Sequence, residues 1–253
     1  MIKQSEIKNI ARQRNVPIST IERDYTQNWI LLFIPKMAFK GGTCLRKVYF
    51  KEYRFSDDLD FTLLEETKIT ELEEKILNSI RQAKIRSNIE FIDEINSKEV
   101  RNGYSFDIYF RITRTTGSPL KIKIDITKNE NEHIPDKITQ KVINHPYSDN
   151  MDAKVFSYSL DEIFAEKTRS LFERTRPRDV YDVWYLSKHM KFDTSLFHKK
   201  CKIKKLEINI KDLITRKMKF ENAWEASLKH QLPKLPLAND VFDEVIKFLK
   251  KII

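Results

Sequence analysis

Gly41 and Gly42 stand side by side in a chain that has four glycines among 253 residues. Adjacent glycines allow a positive φ and let backbone N–H groups come close to a ligand. The residues that follow, Thr43 to Tyr49, read as a helix with Leu45, Val48 and Tyr49 on its apolar face. A glycine turn that opens a helix offers unpaired N–H groups and a positive dipole end to an anion. Residues 55–63 then read as a strand. Phe55, Leu59, Phe61 and Leu63 fall on one face with Asp57 among them, and Ser56, Asp58, Asp60 and Thr62 fall on the other. Asp58 and Asp60 therefore point the same way, one pleat apart. Two carboxylates so placed repel, and a cation between them relieves the repulsion. Mg²⁺ suits such oxygen ligands, taking one or two carboxylates together with substrate phosphates. A phosphate cradle followed by a metal-binding pair points to nucleotide chemistry. Asp57 faces the core in this register and is not counted as a ligand.

The length allows one or two domains with a sizeable core. One third of the residues are charged, but Gly and Pro are few, which excludes a disordered composition. The net charge of +10 and a pI near 9.4 point to a polyanionic partner, with nucleic acid first and an anionic membrane surface second. A Lys- and Ile-rich bias of the genome accounts for the basicity equally well. Cys44 and Cys201 are too few for a disulfide framework, so a reducing, cytoplasmic setting is expected. The apolar run Trp29–Ile34 ends at Pro35 and is too short to span a bilayer, so no membrane partner is expected.

In chain order, Ile2 to Arg14 reads as a short helix. A second, capped by Ser19 or Thr20, carries Ile21, Tyr25, Trp29 and Leu32 as a core stripe. Thr70 to Ile85 is amphipathic, and strands are expected at Ile89–Ile92 and Tyr104–Ile112, with Gly103 marking the turn before the latter. Leu120 to Thr127 alternates cleanly: Ile122, Ile124 and Ile126 face the core, and Lys121, Lys123, Asp125 and Thr127 share the other face. Pairing of this strand beside Asp58 and Asp60 would create a three-carboxylate site. Asn129 to Met151, with Pro135 and Pro146, reads as a polar loop or domain boundary. Beyond it the pattern is helical. Ser159 to Glu162 is a capping box. The helix behind it sets Lys167 among the apolar positions Leu160, Phe164 and Leu171, where its ammonium either snorkels outward or reaches into a cleft. The next helix carries Asp179 and Asp182 on one face, with Arg174, Arg176 and Arg178 crowding its start; a salt-bridged helix start, Arg178 with Asp182, competes with a functional role.

Lys40-Gly-Gly-Thr-Cys-Leu-Arg-Lys followed by Arg54-Phe-Ser-Asp-Asp-Leu-Asp-Phe resembles the opening motif of the AbiEii/AbiGii-type nucleotidyltransferase toxins. These are members of the minimal nucleotidyltransferase superfamily, which shares a polymerase-β-like catalytic fold. Glu22–Tyr25 resembles the family's N-terminal helix, Lys123–Ile126 its second motif, and Ser159–Lys167 with Arg178–Trp184 its third and fourth. The resemblance spans residues 19 to 190.

It implies an α+β fold, a nucleotidyltransferase-type mixed β-sheet flanked by helices, followed by an all-helical C-terminal domain. Residues 1–150 would form the catalytic domain with the N-terminal helices, and 151–253 a helical domain that completes the active site and contributes to RNA binding. It further implies that Gly41, Gly42 and Thr43 hold the nucleotide phosphates, that Asp58 and Asp60 bind Mg²⁺ and that Lys167 neutralises triphosphate charge. Asp182 would be a further required polar group. Asp125 matches the third carboxylate, a metal ligand or the base that activates the attacking hydroxyl. The implied activity is Mg²⁺-dependent transfer of NMP from an NTP to RNA, the tRNA 3′ end above all, which blocks translation. The setting would be a type IV-like toxin–antitoxin or phage-defence system with a cognate antitoxin. Competing readings are transfer to a protein hydroxyl, and an RNA-binding protein on an inactive transferase fold.

Overall fold

The clean alternation at residues 120–127 becomes a strand close to the middle of a mixed sheet. In the computed structural model the described residues are 1–253 except 115, 132–134, 136 and 137. They fall into two compact units, Met1–Tyr158 and Ser159–Ile253.

The first unit opens with helices α1 (Gln4–Gln13) and α2 (Ile18–Phe33). Ser19 and Thr20 lie inside α2; its N-cap position is Pro17, which fixes φ and needs no donor there, so neither hydroxyl caps. Strand β1 (Ala38–Lys40) leads into the four-residue α3 (Gly41–Cys44), which widens into a π-helical turn over Leu45–Tyr49. β2 (Asp58–Thr62), α4 (Ile69–Ser87), β3 (Glu90–Phe91), β4 (Asn96–Val100), β5 (Gly103–Arg111) and β6 (Leu120–Thr127) follow. Gly103 belongs to β5 rather than to the turn before it. The stretch expected to be a loop, 129–151, contains strand β7 (Thr139–Val142), and β8 (Lys154–Ser157) comes after it. Its residues 132–134, 136 and 137 lie outside the described residues.

The sheet runs β3-β5-β6-β2-β1-β8-β7, with β4 also paired to β5. β2 pairs parallel with β6 and antiparallel with β1, and β1 pairs parallel with β8. Ile122, Ile124, Ile126, Leu59 and Phe61 are all buried, as the alternation requires, and α2 packs against β6 and α4. The second unit is helical: α5 (Leu160–Glu173), α6 (Pro177–His189), α7 (Thr194–Ile203), α8 (Ile210–Thr215), α9 (Lys217–Leu228) and α10 (Ala238–Ile252). Ser159 caps α5 by accepting from the Glu162 N–H, and Asp193 and Asn209 cap α7 and α8 in the same way.

A buried ionic cluster ties α2 to the segment after the glycines. Asp24 Oδ1 accepts from Arg46 Nε at 2.8 Å and lies 2.8 Å from Lys47 Nζ, while Oδ2 accepts from the Tyr147 hydroxyl at 2.7 Å. Burial opposes ionisation of Asp24, but Lys47 and Arg46 outweigh it and hold the carboxyl well below its usual range. Burial brings the Lys47 ammonium down to about 8 against the pull of Asp24. Asp24→Asn keeps the shape and strands two buried cations. Breaking such a pair costs about 3–5 kcal/mol, so the variant is expected to unfold at a much lower urea midpoint. A midpoint equal to the parent's would show that the cluster contributes nothing net.

Candidate active site

Register decides which polar side chains meet. Lys40 pairs with Asp60 across β1 and β2, Asp60 with Asp125 across β2 and β6, and Asp125 with Ser105 across β6 and β5. Directly paired residues share a face, so Lys40, Asp60, Asp125 and Ser105 form one row. Two residues along β2, Asp58, Lys123 and Asp107 form the next row on the same face. The structure therefore brings Asp58, Asp60 and Asp125 to one side of the sheet, opposite the isoleucines. All three are half-buried.

The glycine pair sits against this face, and each glycine is required for a different reason. Gly41 has φ +78°, and a Cβ there would stand 2.3 Å from Asp60 Oδ2. Any side chain at 41 would displace the carboxylate. Gly42 has no such backbone requirement, but a Cβ there would stand 2.6 Å from Arg54 Nη2. Arg54 is fully buried and donates to the Phe55 carbonyl at 3.0 Å, so a guanidinium lies against the turn. This charge was not assigned a role from sequence, although its place between Tyr53 and Phe55 marks it as an arginine in an aromatic setting. The expected helix from Thr43 to Tyr49 is in fact one α-turn followed by the π-turn, so its dipole is short; the Arg54 guanidinium adds positive charge against the elbow. Thr43 is fully buried and its hydroxyl donates to the Asp58 carbonyl, fastening the elbow to the start of β2.

Neighbouring cations restrain two of the acids. Lys123 Nζ donates to Asp125 Oδ2 at 2.6 Å. Asp57 is not in the core but pairs with Arg23 of α2 at 2.9 Å, outside the aspartate rows. Among the described residues no group of three or more His, Cys, Asp and Glu side chains is arranged to hold a metal ion. The donor chemistry still suits a hard divalent cation. Asp58 and Asp60 are hard oxygen donors on one face, the cradle at Gly41 is one a Cβ would fill, and the buried Ser105 Oγ opposite Asp125 has no hydrogen-bond partner. Mg²⁺ typically needs only one or two carboxylates plus phosphate oxygens.

In the second unit, Lys167 neither snorkels nor stands in the open. Its Nζ lies 3.2 Å from Asp179 Oδ1 and 2.8 Å from Asp182 Oδ2, both on the inner face of α6. Arg174 Nε adds a bond to Asp179 Oδ2 at 2.8 Å. Asp179 and Asp182 are 2% and 0% exposed, so their charges depend on these cations. Burial works against the Asp179 carboxylate; Lys167 and Arg174 overcome it and lower its pKa. Sequence spacing had put Asp179 and Asp182 on one face but could not show that Lys167 joins them.

The sequence matches the family described as nucleotidyl transferase AbiEii toxin, type IV TA system, over residues 26–247. No curated protein matches the chain. Among solved structures, MenT4, a nucleotidyltransferase toxin from Mycobacterium tuberculosis H37Rv, superposes with a TM-score of 0.69 at 15% identity, covering 100% of this chain and 90% of that one. JHP933 from Helicobacter pylori gives 0.61 at 18% identity, covering 94% and 93%. These likenesses establish the shared fold. No helix among the described residues is long and apolar enough to cross a membrane.

Two measurements follow. Gly41→Ala combines a strained φ with the collision at Asp60 and is expected to lower stability by more than about 1 kcal/mol; in an Asp60→Ala background the same change should cost less, because the colliding oxygen is gone. Equal costs in the two backgrounds would show that the contact is not felt. Lys167→Met leaves Asp182 buried without its lysine and should destabilise by about 3–5 kcal/mol. Because the folded pKa of Asp179 lies below its ordinary 3.8, its stabilisation is complete above that value and is lost as pH falls through the folded pKa. Acid titration of the parent, followed by helical circular dichroism, should show that loss below about pH 4, and Arg174→Met should shrink it.

Proposed function

The chain belongs to the AbiEii nucleotidyltransferase toxin family of type IV toxin–antitoxin systems, and on that premise we propose that it transfers NMP from an NTP to an RNA acceptor, the 3′ end of tRNA. The observation that carries the reading is the row in which Asp60 and Asp125 are direct cross-strand partners while Asp60 lies against Gly41. Acids brought together from strands far apart in sequence, beside a glycine elbow, suit in-line displacement at a nucleotide's α-phosphorus.

Asp58 and Asp60 would hold Mg²⁺, which supplies neutralisation of polyphosphate charge. The remaining roles belong to the chain. Gly41 and Gly42 let backbone approach the phosphates without a side chain intervening. Arg54 adds fixed positive charge at the same elbow, where the leaving pyrophosphate develops charge. The acceptor hydroxyl oxygen bonds to the α-phosphorus as the bond to the bridging oxygen breaks, and Asp125 takes the hydroxyl proton. Lys123 donates to Asp125 Oδ2, and a carboxylate has a second oxygen with which to accept the hydroxyl proton. Lys167 and Asp182 enter the proposal as a matched buried pair that keeps the helical unit ordered. The net charge of +10 favours an RNA acceptor, since phosphate neutralisation supplies sequence-independent affinity. A cognate antitoxin and a cytoplasmic role in growth control or phage defence complete the proposal.

Incubation with tRNA, Mg²⁺ and each labelled NTP tests it. Label should move to RNA, and Asp60→Asn should lower the rate on the order of 10²-fold or more. An Asp60→Asn protein that turns over at the parent rate would sink the scheme. Label that appears on protein and never on RNA would replace the acceptor.

A further inference from the structure

Residues 188–219 hold eleven Lys and Arg against three Asp and Glu, so eight of the chain's ten net positive charges fall in this one stretch. Helix α7 shows how part of that charge is displayed. Its inner face buries Phe197 and Cys201 against Ala165 of α5. Lys200 turns inward as well, 2.5 Å from Glu162 and 3.2 Å from Glu166. Successive residues of a helix are about 100° apart, which sets His198, Lys199 and Lys202 on the opposite side. Lys205, just beyond the helix end at φ +50°, extends the row. All four side chains are exposed.

Three lysines elsewhere have an acid beside them: Lys75 with Glu71, Lys84 with Asp93, Lys229 with Glu225. Lys199, Lys202 and Lys205 make no ion pair among the described residues. The acid at the start of α7, Asp193, accepts from the Leu196 N–H as the cap. The outer face of α7 thus carries uncompensated positive charge. Protein–protein interfaces are depleted in lysine, whereas nucleic-acid interfaces are strongly positive and draw their affinity from lysine and arginine on phosphates. A lysine-rich, aromatic-poor helix face fits the second kind of partner.

We infer that the outer face of α7, through Lys199, Lys202 and Lys205, docks the phosphodiester backbone of the RNA acceptor. This rests on the RNA-acceptor reading above and adds where that RNA is gripped. The contact is to backbone and carries no sequence information of its own.

The test is tRNA binding by the full chain across a range of salt concentrations. Lys199→Gln, Lys202→Gln and Lys205→Gln combined should flatten the slope of log affinity against log salt by about two units, because each phosphate contact contributes about 0.7–0.9. A control that removes the same net charge from paired lysines, Lys75→Gln, Lys84→Gln and Lys229→Gln, should leave the slope unchanged. Arginine at the three α7 positions should keep it, which separates charge from any loss of folding. A parent that labels or binds tRNA while the α7 triple variant keeps the full slope would overturn the docking face alone. A parent that binds no tRNA at any salt would overturn both the face and the acceptor reading. Loss of poly-glutamate binding with an unchanged tRNA slope would give the face to an acidic protein and overturn the inference.

Discussion

A single carboxylate on α2 fixes where the glycine elbow lies. Asp24 is almost completely buried, and it is tolerated there because Arg46, Lys47 and Tyr147 converge on it. Arg46 and Lys47 are consecutive, and consecutive residues of an ordinary α-helix diverge. They meet one oxygen where the chain is wound as a π-turn, over Leu45–Tyr49. Such turns are uncommon and recur beside functional sites. Arg46 also stacks on Phe55, 3.5 Å from the ring centre, and donates to the Tyr53 carbonyl. The ionic cluster therefore grips both the segment after Gly42 and the segment before Asp58. The glycines and the aspartates are held in register by charges that never touch them.

The same logic sorts what could be read from the residues alone. Strand β6 was legible because its isoleucines alternate with polar residues over its whole length, and that alternation put Asp125 on the polar face. The shared face of Asp58 and Asp60 followed from period two. Helix α5 was legible from its cap, and α6 from the shared face of Asp179 and Asp182. β1, β4, β7 and β8 were not. β1 is three residues long, β4 and β7 are polar edge-type segments with little buried surface, and β8 is four residues. Such strands form because a neighbour offers backbone partners, and no local pattern announces that. The partners of Lys167 were hidden for a related reason. Spacing gives the direction of a side chain within its own element, which set Lys123 beside Asp125, while the pairing of Lys167 with Asp182 is found only once two helices are placed.

Identity of 15–18% to the superposable structures shows how little of the sequence the fold requires. What the fold needs is buried apolar positions at the right period, with volume roughly conserved. The site asks for more specific things: no Cβ at 41, none at 42, and acids two apart on β2. A fold shared at this distance does not transmit an acceptor or a partner. The proposed RNA contact lies on a surface, the lysine row of α7, that packing leaves unconstrained.

The parallel pairing of β2 with β6 carries a consequence for synthesis. Parallel neighbours cannot be joined by a tight turn, and here the chain between them includes α4 and three further strands. During translation the early aspartates leave the ribosome well before the strand that must lie beside them. Contacts of such long sequence separation form late, because the loop between them must be closed first. A nascent or prematurely terminated chain that stops short of residue 120 therefore lacks one carboxylate and the strand that flanks the other two. The carboxylate row on which the proposed chemistry rests is in this way incomplete until most of the sheet exists.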